Sequence, residues 1–494
     1  MKLKIFPFIA AFLTIGALPS YAIAPSIPGC TPEVTEFTNS TITAIADNAT
    51  TNSTLAVSAT NGTIIDIDLL TNITHTNNAD LDISLTSPTG TVVTVTTDNG
   101  GNNDDVFNGT YWDDQADSAT QLGAAAAGSG FVGNAAYVAR HTFSDTVLAT
   151  PLVPEEGFAA FKGESANGNW TLRIVDDLAT ETGSLASWKL KVTTCTTTPA
   201  TKTLSFSNAT AQAIADHALI SSSVTASGLG SGVCGVKVTT NITHTFSADI
   251  EMALVSPFGT HVTLTDDQGS SANDVFAGTV WQQDADPGSS LPYSGNPGIV
   301  SDHTYTDLTL ASPLTPMESF AAFYGEQPNG VWTLVIHDDA GGDTGTFNSW
   351  SLELKSCSND ADQDGVADQD DKCTGADTDT DASGVADCLE SDLVPTDVKA
   401  KLIKGKLQCS FSVQNKGAVA AAASTAEIRF AVASDSIGKL KSTIAVPALA
   451  AGAKSAKFTV NKAPGGANFC RFVVDSASAL TEKNETNNSK WKRR

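Results

Sequence analysis

Apolar and polar residues alternate over short runs along most of the chain. The runs Ile65–Leu69, Leu81–Leu85 and Trp170–Val175 each show the two-residue period of a half-buried strand. A Ser-Pro-x-Gly sequence at 87–90, repeated at 256–259, is typical of a hairpin turn between two such runs. Long amphipathic helical patterns are scarce. The pattern therefore predicts an all-β protein in which short strands form sandwiches or jelly rolls.

The first 357 residues contain an internal repeat. Asp105-Val-Phe107 recurs as Asp274-Val-Phe276 at an offset of 169 residues, whereas Phe158-Ala-Ala-Phe161 recurs as Phe320-Ala-Ala-Phe323 at an offset of 162. The change of offset indicates a loop of different length between Trp112 and Phe158. A period of this size is that of a whole domain, so the sequence predicts a duplicated domain rather than a solenoid.

The N-terminal segment has the pattern of a secretory signal peptide. It consists of Lys2 and Lys4, an apolar run from Ile5 to Leu18, and the small residues Ser20 and Ala22. Cleavage is predicted after Ala22 or Ala24. An alternative is a lipoprotein signal that ends at Cys30. No other run approaches twenty apolar residues, so no membrane span is predicted.

Eight cysteines follow this segment, and an even number in an exported chain indicates disulfides. Their order suggests four successive pairs: Cys30–Cys195, Cys234–Cys357, Cys373–Cys388 and Cys409–Cys470. The connectivity of the first two pairs is left open by sequence alone.

The net charge of −26 is unevenly distributed. Residues 393–494 hold 17 Lys and Arg against 6 Asp and Glu, a net charge of +11, which leaves −37 for the preceding residues. The acidic part argues against a nucleic-acid partner and suits divalent cations. The basic part could contact an anionic polysaccharide or lipid. The acidic surface could equally serve solubility alone.

Several spaced motifs carry a family resemblance, and each of them occurs twice. In the first copy they are Leu85-Thr-Ser-Pro-Thr-Gly-Thr91, Phe161-Lys-Gly-Glu164, Gly168-Asn-Trp-Thr-Leu172 and Gly183-Ser-Leu-Ala-Ser-Trp188. Together they resemble the P domain (Homo B domain) that follows the catalytic domain of subtilisin-like proprotein convertases. The resemblance implies two eight-stranded jelly rolls, which in that family stabilise an adjoining protease.

Catalytic machinery is not predicted. No unassigned stretch is long enough for a subtilisin-like domain with its Asp, His and Ser triad, and neither a G-x-S-x-G nor an H-E-x-x-H motif occurs. His75 and His244 occupy equivalent positions in the two copies. Because neither has a serine nucleophile nearby in sequence, we expect structural histidines at strand edges that hydrogen-bond to the backbone.

Acidic residues also recur at equivalent positions in the two copies. These are Asp80 and Asp249, Asp98 and Asp267, Asp105 and Asp274, and the pairs Asp176-Asp177 and Asp338-Asp339. Loop carboxylates at one end of a sandwich can chelate calcium, but Asp also serves turns and caps. Both interpretations stay open.

The segment 358–392 carries the clearest chemical signal in the chain. It contains two loops with oxygen ligands at positions 1, 3, 5, 9 and 12 and a glycine at position 6. The predicted ligands are Asp360, Asp362, Asp364, Val366 (by its carbonyl), Asp368 and Asp371 in the first loop, and Asp379, Asp381, Ser383, Val385 (by its carbonyl), Asp387 and Glu390 in the second. Calcium takes six to eight oxygens, so this spacing predicts two Ca²⁺ sites.

Flanking EF-hand helices are absent from this segment. The spacing Asp-x-Asp-x-Asp-Gly-x-x-Asp-x-x-Asp-x-Cys that ends at Cys373 resembles a thrombospondin type 3 repeat. The second loop departs from that pattern at Ser383 and at Cys388. The alternative is a solvated acidic linker.

Alternating strands return after Leu393. Val413-Gln-Asn-Lys-Gly417 and the closing Glu482-Lys-Asn-Glu-Thr-Asn-Asn488 resemble the CARDB domain, an adhesion-related immunoglobulin-like module of bacterial surface proteins. The predicted organisation is a signal peptide (1–22), two P domains (23–197 and 198–357), a calcium-binding linker (358–392) and an immunoglobulin-like β-sandwich (393–494).

These features predict a secreted or cell-surface protein without catalytic activity, with a periplasmic location as an alternative. Its expected cofactor is Ca²⁺, and its expected partner is a surface polysaccharide, a matrix component or another protein. The alternative function is an accessory or stabilising partner of a separately encoded subtilisin-like serine protease.

Overall fold

The computed structural model describes residues 26–116, 136–283, 285, 298–361, 365–371, 373, 387–433, 437–461 and 467–494. The chain divides into two compact units, Met1–Asp360 and Ala361–Arg494. Six β-sheets make up the described structure, and its helices are single 3₁₀ turns. The predicted all-β fold is confirmed.

The first repeat is a sandwich of two antiparallel sheets. One sheet has the strand order β1-β9-β4-β7, with the short β2 paired to β9, and the other has the order β3-β8-β5-β6. The strands are β1 (Pro32–Asn39), β2 (Thr43–Ile45), β3 (Thr50–Val57), β4 (Thr63–His75), β5 (Leu81–Thr86), β6 (Val92–Thr96), β7 (Asn108–Trp112), β8 (Gly168–Asp176) and β9 (Gly183–Cys195). The resemblance implied eight strands, and the structure has nine because of the additional three-residue strand β2.

The second repeat has the same topology. Its sheets have the orders β10-β18-β13-β16, with β11 paired to β18, and β12-β17-β14-β15. The strands are β10 (Ala200–Asn208), β11 (Gln212–Ile214), β12 (Leu219–Ala226), β13 (Gly232–His244), β14 (Ile250–Val255), β15 (His261–Thr265), β16 (Ala277–Gln282), β17 (Gly330–Asp338) and β18 (Gly345–Ser358). The 3₁₀ turns of this unit are Asn78–Asp80, Val138–Arg140, Phe158–Phe161, Ser247–Asp249 and Phe320–Phe323.

Repeated tryptophans fill the core of each sandwich. Trp188 on β9 donates from Nε1 to Ser53 Oγ on β3 at 2.9 Å, and Trp350 on β18 makes the same bond to Ser222 on β12 at 3.0 Å. These bonds join the two sheets of each repeat while the rings stay buried. A buried indole needs a partner for its N–H, which explains the small hydroxyl residue opposite each ring.

The expected alternation of buried and exposed residues is wrong for two of the three runs. Strand β8 alternates as predicted, but Asp66 and Asp68 on β4 and Asp82 on β5 are buried. Asp68 compensates by pairing with Lys191 Nζ at 2.7 Å. Burial raises the pKa of Asp82 to about 7, and the negative charges of Asp98, Asp177 and Asp302 add to the shift.

The two repeats pack against each other within the first unit. Tyr137 and Val153 of the first repeat belong to the same apolar cluster as the core of the second. Arg140 forms an ion pair with Asp266, and Asp302, which occupies the position equivalent to Arg140, accepts a hydrogen bond from Thr97 Oγ1 at 3.3 Å. Thr97 and Asp266 are themselves equivalent, so the contact has the reciprocal form of a two-fold dimer interface.

The second unit contains a sandwich of a three-stranded and a four-stranded sheet, ordered β19-β20-β23 and β22-β21-β24-β25. Its strands are β19 (Leu393–Ile403), β20 (Lys406–Asn415), β21 (Ser424–Ala431), β22 (Lys439–Val446), β23 (Phe458–Asn461), β24 (Phe469–Val473) and β25 (Ser489–Arg493), and its 3₁₀ turns are Asp387–Leu389 and Glu485–Asn487. Phe411, Ile428 and Phe472 are among the side chains that form its core. This is the immunoglobulin-like sandwich that the sequence predicted.

Four disulfides link Cys30 to Cys195, Cys234 to Cys357, Cys373 to Cys388 and Cys409 to Cys470. They are the successive pairs that the order of the cysteines suggested, and they are typical of proteins in oxidising compartments. In the part of the chain that the structure describes, no helix has the length and apolar character needed to cross a membrane.

Candidate functional site

His75 and His244 form equivalent buried pairs with aspartates. His75 Nε2 lies 3.1 Å from Asp176 Oδ2 and its Nδ1 lies 2.6 Å from the carbonyl oxygen of Asn77. His244 repeats both contacts, with Asp338 at 3.1 Å and with the carbonyl of Phe246 at 2.7 Å. The backbone contact was expected, but the buried carboxylate partner and the position on a central strand correct the strand-edge prediction.

These histidines join the two sheets of each sandwich. His75 ends β4 in one sheet, and Asp176 ends β8 in the other. The side chains of this pair are fully buried, and both ring nitrogens are engaged by oxygens. A substrate cannot reach such a ring, so the pair acts as a structural link between sheets.

The close packing of the histidine ring explains a repeated glycine. A Cβ atom at Gly183 would lie 2.2 Å from the carbonyl oxygen of Thr74 and 2.6 Å from His75 Cδ2. Gly345 meets Thr243 and His244 at nearly identical distances. Both copies therefore need glycine where β9 and β18 begin.

Within the described residues, the repeated acidic positions differ in their surroundings. Asp105 and Asp274 accept hydrogen bonds at 2.9 Å from the backbone N–H groups of His75, at the end of β4, and His244, at the end of β13, which is a role in a turn. Within the described residues, three acidic side chains have oxygen atoms close enough together to hold a metal ion. They are Glu251, Asp266 and Asp267, and Asp267 is one of the repeated aspartates.

This acidic group already has cationic neighbours. Arg140 of the first repeat pairs with both Asp266 and Asp267, and His337 Nδ1 lies 2.8 Å from Glu251 Oε2. Burial raises the pKa of Asp266 to about 7, and Arg140 opposes that shift. The group is therefore an ion-pair cluster at the contact between the repeats.

The predicted linker ligands are only partly described. Asp362, Asp364, Asp379, Asp381, Ser383 and Val385 lie outside the described residues, as does the side chain of Asp387. Gly365 has a φ of +95°, the left-handed conformation that a sharp loop requires at its sixth position. Asp368 Oδ1 accepts from the backbone N–H of Ala361 at 2.8 Å, and Asp371 Oδ1 accepts from that of Cys373 at 2.6 Å.

The ends of the first loop therefore have a compact local conformation. In that loop Val366 is exposed and Asp360 is buried, and Glu390, the last predicted ligand of the second loop, is also buried. The two calcium sites stay predictions, because half of their proposed ligands fall outside the described residues.

The two motifs of the C-terminal sandwich meet at the start of β19. Glu482 Oε1 accepts from the backbone N–H of Leu393 at 2.7 Å, and Asn415 Oδ1 accepts from that of Asp392 at 3.0 Å. Asn415 also donates from Nδ2 to the carbonyl oxygens of Val419 and Leu449. The motif residues therefore fix the first strand and the turn after β20, which is a structural role.

One face of the four-stranded sheet of this sandwich combines arginines with aromatic rings. Arg429 on β21 lies opposite Arg471 on β24, which lies opposite Trp491 on β25. The guanidinium of Arg471 lies 5.5 Å from the ring centroid of Trp491, and that of Arg493 lies 5.9 Å from the ring of Phe469. We call Arg429, Phe469, Arg471, Trp491 and Arg493 the arginine–aromatic face.

The arginine–aromatic face is open to solvent. Arg493 is exposed and the other four side chains are partly buried, whereas the alternate residues Cys470 and Phe472 point into the core. Arg429 pairs with Glu427, but Arg471 and Arg493 have no ion pair within the described residues. This face therefore offers two unneutralised guanidinium groups beside two rings.

The folds and disulfides define a modular protein of all-β sandwiches, and comparison with protein families gives the modules their identity. The model of the proprotein convertase P-domain matches residues 64–129, 138–192, 233–287 and 300–354, and the CARDB model matches residues 390–492. The chain carries two P domains in tandem followed by a C-terminal CARDB domain.

Known relatives share only parts of the chain. Leupeptin-inactivating enzyme 1 of Streptomyces exfoliatus is 29% identical over 136 residues, which are 27% of this chain and 22% of that protein. The chain thus spans about a fifth of the length of this curated relative.

Several solved structures have local similarity to this chain. A CARDB domain of Pyrococcus furiosus, solved in complex with di-metal ions, is 19% identical over 21% of this chain and 85% of its own, with a TM-score of 0.18. A serine protease of Aeromonas sobria is 21% identical over 32% of this chain and 28% of its own, with a TM-score of 0.21. The same protease in complex with its chaperone is 23% identical over 33% and 28%, also with a TM-score of 0.21.

Sequence reasoning missed the arginine–aromatic face. Phe469 and Arg471 alternate along one strand, as do Trp491 and Arg493 along another, and this period was a usable signal. The period did not predict that these two strands, which are separated by residues 474–488, pair with each other.

Proposed function

We propose that the chain is an exported binding protein without catalytic activity that attaches to an anionic surface or matrix polymer through its CARDB domain. The observation that carries this proposal is the arginine–aromatic face, with its two unneutralised guanidinium groups beside Trp491 and Phe469. The tandem P domains form a rigid acidic body, and Ca²⁺ stiffens the linker between 358 and 392.

The chemistry of the arginine–aromatic face favours an acidic polysaccharide. Guanidinium groups form paired hydrogen bonds with carboxylates, and aromatic rings offer apolar contact area for sugar rings. The net charge of +11 over residues 393–494 would attract such a polymer, and the attraction should weaken as salt screens it.

The test measures binding of the full chain to immobilised alginate, a uronic-acid polymer, with neutral dextran as the reference. Arg471→Gln combined with Arg493→Gln should weaken alginate binding at least tenfold. Lys399→Gln combined with Lys401→Gln removes the same charge at two exposed positions of β19 and should have little effect. Equal losses in both double variants would contradict the assignment to this face, and a wild-type chain that binds no anionic polymer would contradict the function.

The second candidate is an accessory partner of a separately encoded subtilisin-like protease. P domains accompany such proteases, and the Aeromonas sobria protease has a solved complex with a chaperone. A stable complex between this chain and a native protease, unaffected by the two arginine substitutions, would favour the accessory function over polymer binding.

The absence of catalysis is tested separately. The sealed His–Asp pairs give no reason to expect turnover, so the purified chain should leave casein and basic-site peptides uncut. Cleavage that copurifies with the chain and is blocked by a serine-protease inhibitor would contradict this part of the proposal.

A further inference from the structure

Two carboxylates near the end of the CARDB domain each have one oxygen held and one left without a donor. Asp475 Oδ2 accepts from the backbone N–H of Leu480 at 3.0 Å, and Glu482 Oε1 accepts from that of Leu393 at 2.7 Å. Asp475 Oδ1 and Glu482 Oε2 are buried and have no hydrogen-bond donor. Asp475 is 3% exposed and Glu482 is 0% exposed.

Two asparagines of the closing motif repeat this arrangement. Asn487 Nδ2 donates to Asp392 Oδ1 at 2.8 Å, and Asn488 Nδ2 donates to Glu485 Oε2 at 3.1 Å. The Oδ1 atoms of both asparagines are buried without a donor. Each of the four side chains is therefore oriented by at least one hydrogen bond, and each has a buried oxygen atom without a donor.

Three of these side chains lie near one another at one end of the sandwich, and Asn487 precedes one of them in the chain. The backbone N–H of Val474 donates to the carbonyl oxygen of Asn488 at 2.8 Å, which places Asn488 beside Asp475. The side chain of Asn488 hydrogen-bonds to the carboxylate of Glu482, which lowers the pKa of Glu482, and the negative charge of Asp475 raises it. Burial raises the pKa of Glu482 to about 7, and Asp475 and Glu485 add to the shift.

Neither carboxylate has a cationic side chain as its partner. Within the described residues, no Lys or Arg forms an ion pair with Asp475 or Glu482. A buried oxygen without a donor costs about 1–3 kcal/mol, so four together would be strongly unfavourable unless something binds them. These four oxygen atoms have no hydrogen-bond donor, and no sulfur atom is among them. Such a set of ligands suits a hard divalent cation.

We propose that Asp475, Glu482, Asn487 and Asn488 bind one divalent cation, with Ca²⁺ as the expected ion. Four protein oxygens leave two to four positions for water, which is within the six to eight oxygens that Ca²⁺ takes. The two carboxylates match the charge of the ion. The site is distinct in its residues from the two linker loops, and it would fasten β19 and the closing motif to the end of β24.

The test uses the full chain and compares hydrogen–deuterium exchange and thermal unfolding with calcium and with chelator. Calcium should slow exchange in residues 474–488 and raise the unfolding temperature of the CARDB domain. Glu482→Gln removes the charge without changing the shape, so at least tenfold more calcium should be needed for the same protection. Glu427→Gln, a substitution of the same type at the residue that pairs with Arg429 on β21, should respond to calcium as the wild type does.

Folding of the variants is controlled in chelator. There Glu482→Gln should unfold at the wild-type temperature or above it, since a buried amide is less costly than a buried carboxylate. Asp475→Asn provides a second variant if Glu482→Gln does not fold. Calcium-independent exchange in residues 474–488 of the wild type would overturn the proposal, as would an unchanged calcium response in both variants. Calcium effects confined to residues 360–390 would also contradict this site, while supporting the linker loops.

Discussion

Lys162 of the first P domain contacts the second P domain, and its positive charge is destabilised there by desolvation. Its Nζ donates to the carbonyl oxygen of Cys234 at 2.5 Å and lies 3.7 Å from the ring centroid of Tyr324. Desolvation lowers the pKa of Lys162 to about 7, and the positive charge of Lys355 contributes to the shift. The side-chain nitrogen therefore makes specific contacts while it is poorly solvated, and it titrates near neutral pH.

Replacement of Lys162 by Met should change how stability depends on pH. Between pH 7 and 10 the unfolded wild-type chain holds a proton that the native chain has lost, so the free energy of unfolding rises with pH. From pH 7 to 9.5 the wild type should gain about 3 kcal/mol relative to Lys162→Met. Urea denaturation followed by tryptophan fluorescence reports mainly on this unit, since six of the seven tryptophans precede residue 360. Parallel pH profiles of the two proteins would contradict the assigned cause.

Arg140 offers a second test at the contact between the repeats. Arg140→Met leaves Asp266 buried beside Glu251 and Asp267 without its guanidinium partner. We expect a loss of about 1–3 kcal/mol at pH 8 that shrinks toward pH 6, where Asp266 becomes protonated. Arg140→Lys keeps the charge and should lose less. A pH-independent loss in Arg140→Met would indicate a packing effect instead.

At the scale of the strand, sequence patterns predicted where strands occur better than they predicted which side chains are buried and what they contact. The repeated Gly183-to-Trp188 motif pointed to a jelly-roll strand, and β9 (Gly183–Cys195) begins at that glycine. The burial of Asp66 and Asp68 on β4 was not predictable from alternation, because it depends on Lys191 and on neighbours contributed by distant segments. The pairing of Arg140 with Asp266 was likewise not predictable, since Arg140 ends a 3₁₀ turn and Asp266 follows β15, 126 residues further along the chain.

The candidate sites show the same limit. The linker ligands could be proposed from spacing because they are close in sequence. Glu482 and Asn488 were recognised as parts of a motif, but their unused oxygens depend on how β19 and β24 meet them. A local sequence pattern gives the identity of such residues, while their partners depend on the fold.

Asn415 fixes the turn after β20, so its removal should destabilise the CARDB domain. Asn415→Ala loses the bonds to Asp392, Gly417, Val419 and Leu449 and leaves buried backbone groups without partners. We expect a loss of about 2–4 kcal/mol, measured as a lower unfolding temperature of this domain by calorimetry. Asn461→Ala, at the exposed end of β23, is the matched control and should change it little. Equal shifts in the two variants would show that the Asn415 bonds contribute little.

At the scale of the whole molecule, the β-sandwiches and the segment from 358 to 392 differ in what stabilises them. The sandwiches have buried cores and disulfides. The segment from 358 to 392 has few large apolar side chains, so burial alone cannot offset the entropy lost when it becomes ordered. Its many carboxylates repel one another unless a cation is bound. Calcium should therefore act on this segment far more than on the P-domain sandwiches.

Limited proteolysis with and without chelator tests this expectation. Calcium binding to loops of extracellular modules has dissociation constants of roughly 10⁻⁴ to 10⁻³ M, so millimolar calcium should order both loops. Cleavage between Asp360 and Glu390 should rise sharply in chelator while the P-domain sandwiches stay intact. Asp364→Ala combined with Asp381→Ala should show the same cleavage even in calcium, because each substitution removes a predicted ligand of one loop. Glu36→Gln, an exposed carboxylate on β1, is the control and should behave as the wild type. Equal resistance of the segment in calcium and in chelator would contradict the calcium assignment, because the segment would then be ordered without the ion and would be an acidic spacer.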